Sequence, residues 1–170
     1  SFMKNIKILV LDVDGTLTDG KIYVDDKDNS FKAFNVKDGF ALVNWIKLGG
    51  EVAILTGKKS NIVERRAKEL GIKYVIQGSK NKTQDLKKLL EELYITFENT
   101  AYMGDDLNDL GVMKNVALSG CPKDSVQEVL EISNFISSKN GGDGAVREFL
   151  EYIMKNNGMW KKILENYSNE

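Results

Sequence analysis

The sequence predicts an α/β fold in which a doubly wound parallel sheet forms a single domain over residues 1–170. Three observations support this prediction. Short apolar runs of β type alternate with longer segments of helical periodicity, which is typical of parallel strands joined by helices. The first run, Ile6–Leu11, is apolar at every position except Lys7, as expected of a strand buried on both faces of a sheet. The chain of 170 residues is 42% hydrophobic and 29% charged, so we expect one well-packed core rather than two.

The first half of the chain contains a predicted β-hairpin, followed by helices and buried strands. A polar segment at 25–29 separates two β-type runs, which predicts a hairpin that protrudes at about residues 18–35. Its strands are expected at Lys21–Val24 and Phe31–Asn35. The elements expected after it are a helix that Asp38 caps and that runs to about Leu48, a strand at Val52–Leu55, and a helix capped by Ser60 and ended by Gly71.

The second half continues the same alternation. The strands expected there are Tyr74–Ile76, Ala101–Met103, Val116–Leu118 and Phe135–Ile136. The helices expected there are about Lys82–Leu93, Leu107–Met113, and a long helix from the Gly141-Gly142-Asp143-Gly144 segment to Lys155. The C-terminal tail, at about residues 157–170, places four apolar side chains on one helical face, those of Trp160, Ile163, Leu164 and Tyr167. That face must pack on the domain itself or on another subunit.

The composition excludes several classes of protein. Histidine is absent and Cys121 is the single cysteine, so disulfide scaffolds, serine triads and zinc sites built on His and Cys are excluded. Lys and Arg number 24 against 25 Asp and Glu, and without a basic excess we expect no nucleic-acid partner. The run Ile6–Leu11 is too short for a membrane span or a signal peptide, so we expect no membrane partner and a cytoplasmic location. Ser1-Phe2 precede Met3-Lys4, which is typical of a natural start, so we expect these two residues to be an addition from expression.

Polar and charged side chains gather where four of the predicted strands end. They are Asp12 and Asp14 after the first strand, Thr56-Gly57 after the second, Lys82 at the start of the helix after the third, and Asp105, Asp106 and Asp109 after the fourth. The carboxyl ends of parallel strands meet at one edge of a sheet, where open α/β folds bind their ligands. Clustered carboxylates repel one another unless a cation neutralises them, and ligands that are all oxygen favour Mg²⁺. The sequence therefore predicts a metal-dependent phosphate site.

The first acidic segment, Asp12-Val13-Asp14-Gly15-Thr16, has two other possible interpretations. A calcium loop of the EF-hand type needs Asp or Asn at its fifth position and Gly at its sixth, where this chain has Thr16 and Leu17. A solvated acidic turn is the second alternative, because short motifs also occur by chance. The convergence of the other strand ends on the same edge favours the metal site over both.

These motifs resemble those of the haloacid dehalogenase superfamily of phosphatases. The matching motifs, in the family's order across about residues 5–155, are Asp12-Val13-Asp14-Gly15-Thr16, then Thr56, then Lys82, then Gly104-Asp105-Asp106 with Asp109. The resemblance implies that Asp12 is a nucleophile that forms an aspartyl-phosphate. It also implies that Asp14 protonates the leaving oxygen and later deprotonates the hydrolytic water.

The same resemblance implies which groups hold the metal and the phosphate. The implied Mg²⁺ ligands are Asp12, Asp105 and the backbone carbonyl of Asp14. The groups implied to bind the phosphoryl oxygens are Thr56 and Lys82. Asp106 and Asp109 would support these groups rather than bind the metal, although capping of the short helix that follows explains both residues equally well.

The spacing of the motifs leaves no room for a separate cap domain. The predicted hairpin and one helix use the segment from Asp14 to Thr56, and one helix and one strand use the segment from Thr56 to Lys82. An open crevice excludes water poorly, so we expect other subunits to help close the site.

Further segments resemble the 3-deoxy-D-manno-octulosonate 8-phosphate (KDO 8-phosphate) phosphatases of that superfamily. The matching segments are Asp14–Gly20, Phe34–Gly39 and Gly141–Glu148. The resemblance implies a sugar-acid phosphate as substrate, a role in lipopolysaccharide assembly, and a homotetramer whose hairpins meet at its centre. The residues implied to line the substrate pocket are Asn35, Lys37, Asp38, Gly39 and Gly57, and those implied to bind the sugar acid, from the same or a neighbouring subunit, are Lys58 and Arg66.

Alternatives to this assignment concern both the substrate and the class of protein. Lys58 and Arg66 also fit a solvated helix face. Related phosphatases act on nine-carbon sugar acids of the acylneuraminate or deaminoneuraminate type, but in the latter we expect an acid in place of Lys58. A phospho-receiver domain also has an acidic pocket, a Thr and a Lys, but its phosphorylated Asp ends the third strand. The last alternative, a catalytically silent assembly domain, does not require the acidic set and Lys82.

Overall fold

The computed structural model describes residues 2–170 and confirms the predicted α/β fold. Six parallel strands form one sheet in the order β5-β4-β1-β6-β7-β8, and β2 and β3 form a separate antiparallel pair. The strands are β1 (Ile8–Leu11), β2 (Tyr23–Val24), β3 (Ser30–Phe31), β4 (Glu51–Leu55), β5 (Tyr74–Ile76), β6 (Thr100–Met103), β7 (Leu118–Cys121) and β8 (Phe135–Ile136). The expectation that Ser1 is an addition from expression falls outside the described part of the chain.

Helices cover both faces of this sheet. They are α1 (Val36–Lys47), α2 (Asn61–Leu70), α3 (Lys82–Glu92), α4 (Leu110–Asn115), α5 (Gln127–Ile132), α6 (Ala145–Asn157) and α7 (Met159–Ser168), with short 3₁₀ turns at Phe2–Asn5, Phe97–Asn99 and Leu107–Asp109. Within residues 2–170, no helix combines the length and the apolar character that crossing a membrane requires.

The core consists of two apolar clusters, one on each face of the sheet. Leu9 and Leu11 of β1 point into the cluster that α1, α2 and α6 cover, while Ile8 and Val10 point into the cluster beneath α3, α4 and α5. All four side chains of β1 are fully buried because successive residues of a strand face opposite sides. The uninterrupted apolar run in the sequence therefore reflects a central strand that is covered on both faces.

The register of β1 places three strand ends side by side. Leu11 lies opposite Ile54 of β4 on one side and opposite Met103 of β6 on the other. Because all three strands are parallel, the residues that follow them leave the sheet at the same edge. The acidic segment at Asp12 therefore lies next to the segments that begin at Thr56 and Gly104.

The predicted start of the first helix is wrong. Asn35, not Asp38, is the N-terminal cap of α1, and the Asn35 side chain accepts a hydrogen bond from the Lys37 N–H at 2.8 Å. Asp38 lies inside the first turn, where its carboxylate accepts a hydrogen bond from the Arg147 N–H at 2.9 Å. Asp38 therefore binds a backbone N–H of α6 instead of capping α1, although Asp is a good capping residue.

Other boundaries in the C-terminal half also differ from the predictions. β7 spans Leu118–Cys121 rather than Val116–Leu118, because it pairs with β6 on one side and β8 on the other. α5 (Gln127–Ile132), a short helix with the single fully buried side chain of Val129, was not predicted. The last long helix starts at Ala145, after the glycine-rich segment rather than within it.

The segments from Asp14 to Thr56 and from Thr56 to Lys82, which were expected to hold no cap domain, contain the predicted elements. The hairpin and α1 occupy the first connection, and α2 and β5 occupy the second. The paired part of the hairpin is shorter than predicted, with Tyr23 opposite Phe31 and Val24 opposite Ser30.

The C-terminal tail folds as α7 and packs on its own chain. Ile163 is buried, the Tyr167 hydroxyl lies 3.3 Å from Asn44 Oδ1, and the rings of Tyr167 and Phe40 are 5.0 Å apart. Part of this apolar face therefore packs on the domain itself, while Leu164 and Tyr167 stay 51% and 40% exposed, and packing on another subunit remains a prediction.

Candidate active site

Three neighbouring strand ends and one helix start bring the predicted catalytic residues together. Asp12 follows β1, Thr56 follows β4, and Asp105 follows β6 after one glycine. Lys82 is the first residue of α3, and its side chain is buried. Asp12 and Thr56 are also buried, whereas Asp105 is partly exposed. A crevice with buried charge at its base therefore lies at the carboxyl edge of the sheet.

The Lys82 ammonium lies between two carboxylates and one hydroxyl. Its Nζ donates to Asp12 Oδ1 at 3.0 Å, to Asp109 Oδ1 at 2.8 Å and to the Tyr102 hydroxyl oxygen at 3.4 Å. Burial alone would lower the pKa of Lys82, but the charges of Asp12 and Asp109 outweigh that effect and raise it. Lys82 is therefore a fixed positive charge next to the proposed nucleophile.

Asp109 accepts hydrogen bonds at both of its carboxylate oxygens. Lys82 donates to Oδ1, and so does the Tyr102 hydroxyl at 2.5 Å. The backbone N–H groups of Asp105 and Asp106 donate to Oδ2 at 2.9 and 3.1 Å. Four donors saturate the acceptor capacity of a carboxylate. Asp109 thus both caps the turn that follows β6 and holds Lys82, so the two interpretations considered for it apply together.

Asp106 uses its side chain to cap the short turn that follows it. Its exposed side chain accepts a hydrogen bond from the Leu107 N–H at 2.7 Å, which caps the short 3₁₀ turn at Leu107–Asp109. Its contact with the site is through its backbone N–H, which donates to Asp109. The capping interpretation accounts for the Asp106 side chain.

Carboxylate oxygens of Asp12, Asp105 and Asp109 lie within 4.8 Å of one another. Burial, followed by the charge of Asp109, raises the pKa of Asp12, and Lys82 opposes this only in part. Burial and contact with Asp12 raise the pKa of Asp105 as well. Three carboxylates facing one ammonium carry an excess of negative charge that a divalent cation would neutralise.

The donor set fits Mg²⁺, which prefers oxygen ligands. Asp109 is saturated by its four donors, so the carboxylates of Asp12 and Asp105 are the ones available to hold the metal. The side chain of Asp14 is not part of the acidic cluster, and the role of its backbone carbonyl as a metal ligand remains a prediction.

Gly15 allows the segment after β1 to approach Asp105. It has a φ of +88°, and a Cβ at this position would lie 1.9 Å from Asp105 Oδ2. The Thr18 hydroxyl accepts hydrogen bonds from the Gly15 and Gly20 N–H groups and so closes the turn. The glycine-rich segment before α6 packs over this turn, since a Cβ at Gly141 would lie 1.8 Å from the Gly15 carbonyl oxygen.

The Asp14 side chain has a partner that the sequence analysis missed. Lys32 Nζ, from the residue after β3, lies 2.6 Å from Asp14 Oδ1. Sequence reasoning also missed Tyr102, which is fully buried beneath the site. Neither residue belongs to a recognisable sequence motif. Their roles in the site follow only from their positions in the folded chain.

Comparisons with known proteins agree with this geometry. A family model for haloacid dehalogenase-like hydrolases matches residues 74–150. The KDO 8-phosphate phosphatase of Escherichia coli strain K12 is 42% identical over 151 residues, which cover 89% of this chain and 80% of that protein. This chain belongs to the KDO 8-phosphate phosphatase family.

Two solved structures show how closely the fold is shared within the KDO 8-phosphate phosphatase family and its relatives. A probable YrbI family phosphatase from Pseudomonas syringae pv. phaseolica 1448a has a TM-score of 0.97 at 41% identity, covering 99% of this chain and 96% of that one. The KDO 8-phosphate phosphatase of Moraxella catarrhalis, solved with magnesium, phosphate and KDO, has a TM-score of 0.95 at 37% identity, covering 98% and 95%.

The residues that resemblance to KDO 8-phosphate phosphatases places around the substrate lie in two groups. Gly57 and Lys58 are exposed just beyond β4, and Lys58 lines a cavity together with Asp14. Asn35 and Lys37 lie at the start of α1, where Asn35 caps the helix and the Lys37 side chain is exposed. These positions remain predictions as substrate contacts.

Asp38, Gly39 and Arg66 form the second group, around a small cavity between α1 and α2. The guanidinium of Arg66 passes over Gly39, where a Cβ would lie 2.6 Å from Nη2, and it stacks 5.5 Å from the centre of the Phe34 ring. Asp38 Oδ2 and Arg66 Nε are buried without a hydrogen-bond partner among residues 2–170. Asp38 and Gly39 are buried, whereas Arg66 is partly exposed and its Nη1 lies 3.5 Å from Glu69 Oε2. Their roles as substrate contacts remain predictions.

Proposed function

We propose that this chain is a Mg²⁺-dependent phosphomonoesterase that releases phosphate from KDO 8-phosphate in the biosynthesis of lipopolysaccharide sugar. The observation that carries the proposal is the buried contact between Asp12 and Lys82, flanked by Asp105, in a chain that is 42% identical to a KDO 8-phosphate phosphatase. A nucleophilic carboxylate, a fixed cation and a metal-binding carboxylate are the groups that phosphoryl transfer requires.

Asp12 is the proposed nucleophile. Its carboxylate attacks phosphorus, the bond from phosphorus to the leaving oxygen breaks, and an aspartyl-phosphate forms. Lys82 holds the Asp12 oxygen at 3.0 Å and so fixes the direction of attack. Bound Mg²⁺, held by Asp12 and Asp105, supplies positive charge that offsets the negative charge on the phosphoryl oxygens.

Asp14 is the proposed acid and base. Its carboxyl group gives a proton to the leaving oxygen, and the resulting carboxylate then takes a proton from the water that attacks the aspartyl-phosphate. That second displacement releases phosphate and restores the Asp12 carboxylate. Thr56, which is buried after the end of β4, is the group proposed to bind a phosphoryl oxygen.

The proposal includes a homotetramer in a cytoplasmic location. The hairpin exposes three large apolar side chains, with Ile22, Val24 and Phe31 exposed by 76%, 67% and 60%. Exposed apolar side chains gathered on one small element support an interface between subunits. Cys121 is the single cysteine, so the chain needs no internal disulfide and no oxidising compartment.

A screen for phosphate release over eight- and nine-carbon sugar-acid phosphates, with and without Mg²⁺, tests the proposed function. We expect the highest kcat/KM with KDO 8-phosphate and no turnover after removal of the metal. Preference for a nine-carbon 9-phosphate would assign the chain to the neuraminate type instead. Inactivity toward every phosphate ester would favour a silent assembly domain, and stable phosphorylation of an Asp without turnover would favour a receiver domain.

A further inference from the structure

Lys32 connects the hairpin to the proposed acid of the reaction. Its Nζ lies 2.6 Å from Asp14 Oδ1, and the two side chains are only 21% and 30% exposed. The neighbouring residues Phe31 and Ala33 are both exposed, so the hairpin directs this one side chain inward. A charge-assisted contact of this length holds the Asp14 carboxylate toward the hairpin.

That orientation separates Asp14 from the groups that act on phosphorus. The acidic cluster contains Asp12 and Asp105 with Asp109, whereas Asp14 lines a cavity between the site and the hairpin. An acid that is paired with an ammonium group is not free to reach a leaving oxygen. The contact between Lys32 and Asp14 must therefore loosen before Asp14 can act.

The cavity beside this pair suits an anion. Its volume is about 190 Å³, and the charged residues that line it are Asp14, Lys21, Lys32 and Lys58. The lining thus has three lysines and one carboxylate, and the carboxylate of Asp19 lies beside it, so one positive charge is left in excess. Tyr23 and Ser30 also line the cavity, and the Tyr23 hydroxyl donates to Asp19 Oδ2. A carboxylate is the anionic group that a sugar acid carries besides its phosphate, and lysine pairs readily with it.

We propose that Lys32 is a positioning residue that the carboxylate of the substrate draws away from Asp14. The inference rests on the proposed function, since it requires a sugar-acid phosphate as substrate. When the sugar acid enters the hairpin cavity, its carboxylate pairs with Lys32, and Asp14 becomes free to turn toward the leaving oxygen. A phosphate ester without a carboxylate has no group that draws Lys32 away, so it reacts only when the pair opens by itself. The chain thereby couples recognition of the acid to placement of the catalytic group.

Lys32→Met, assayed with two substrates, tests this coupling. The substrates are KDO 8-phosphate and p-nitrophenyl phosphate, which has no carboxylate. We expect the ratio of kcat/KM for KDO 8-phosphate to kcat/KM for p-nitrophenyl phosphate to fall by about tenfold or more, the size of one lost charged contact. Lys32→Arg keeps the charge and should restore part of the ratio. Lys27→Met removes the same charge from the exposed turn of the hairpin and should leave the ratio unchanged.

Inhibition by KDO itself gives a second readout that does not depend on turnover of the sugar-acid phosphate. We expect the inhibition constant of KDO against p-nitrophenyl phosphate hydrolysis to rise by about tenfold in Lys32→Met. An unchanged ratio, including a parallel loss with both substrates, overturns the inference, and so does an unchanged inhibition constant. If the wild-type chain hydrolyses p-nitrophenyl phosphate but not KDO 8-phosphate, the proposed substrate fails and the inference fails with it.

Discussion

The hydroxyl of Tyr102 lies 2.5 Å from Asp109 Oδ1, and neither side chain is exposed to solvent. Burial and the charge of Asp109 raise the pKa of Tyr102 well above its usual range, so the hydroxyl remains a donor. Because Asp109 in turn accepts from Lys82, the tyrosine helps to fix the cation that faces the nucleophile. The base of the active site is thus a buried network that extends below the residues of the sequence motifs.

Tyr102→Phe should lower kcat by about tenfold with little change in KM. Loss of a hydrogen bond to a charged group is worth about 1.5–3 kcal/mol, and here it removes one of the two donors that hold Asp109 Oδ1. Steady-state kinetics of phosphate release measure the effect. Tyr74→Phe, in the half-buried edge strand β5, is the matched control and should keep the wild-type kcat. Equal kcat values for the two variants would contradict the role assigned to Tyr102.

Asp12→Asn and Asp14→Asn should affect the reaction to different extents. Without the Asp12 carboxylate no aspartyl-phosphate can form, so we expect no detectable turnover. Loss of the acid and base at Asp14 should lower kcat by about 10²–10⁴-fold. Phosphate release with KDO 8-phosphate measures both effects, and Asp26→Asn in the exposed hairpin turn controls for the change of charge. Normal turnover by either active-site variant would refute the mechanism.

Gly15→Ala should weaken Mg²⁺ binding by about tenfold or more. The added Cβ would lie 1.9 Å from Asp105 Oδ2, so the metal-binding carboxylate must move. Calorimetric titration with MgCl₂ measures the affinity. Gly49→Ala is the matched control, because Gly49 also has a positive φ, of +97°, but a Cβ there has open space. That variant should lose about 1 kcal/mol of stability through backbone strain and keep its Mg²⁺ affinity. Similar Mg²⁺ affinities in both variants would show that the contact with Asp105 is unimportant.

Asp38 should make the stability of the protein fall as the pH rises from about 4 to 6. Burial raises the pKa of Asp38 to about 6, with Asp143 adding to this and the Arg147 N–H, Arg147 and Arg66 opposing it. The unfolded chain has an ordinary Asp pKa of about 3.9, so the folded protein binds more protons in this window. The free energy of unfolding therefore decreases by up to about 3 kcal/mol, at about 1.4 kcal/mol per pH unit.

Asp38→Asn isolates this contribution. The amide oxygen can still accept the Arg147 N–H, while the group no longer titrates. Urea unfolding at pH 4 and pH 6.5, without metal, should show a smaller loss of stability in the variant than in the wild type. Asp12 and Asp105 also have raised pKa values, but their effect is common to both proteins and cancels in the difference. Identical losses would mean that Asp38 does not bind its proton on folding.

The predictable part of the fold followed from local patterns. The central strand was visible because a strand covered on both faces is apolar at every position, as in Ile8–Leu11. The cap at Ser60 and the end at Gly71 were visible because each satisfies backbone groups within its own helix. α5 was missed because a six-residue helix with one fully buried side chain leaves almost no periodic signal.

The candidate site was predictable to the extent that it depends on strand ends. Asp12 and Lys82 are 70 positions apart, yet each lies beside a recognisable strand, and parallel strands bring their carboxyl ends together. The cap of α1 was not predictable in this way. Asp38 and Asn35 are both good capping residues. Asp38 binds the N–H of Arg147, which lies 109 positions after it in the sequence, and Asn35 caps the helix.

The type of fold, the acidic crevice and the set of groups available for chemistry all followed from the amino-acid sequence alone. With no histidine in the chain, that chemistry belongs to carboxylates, a lysine, hydroxyl groups and Mg²⁺. The pairing of Lys32 with Asp14 and the contact of Tyr102 with Asp109 are evident only in the folded chain. A motif reflects the local requirements of one segment, whereas these two pairs form because packing brings a hairpin and a buried strand against the site.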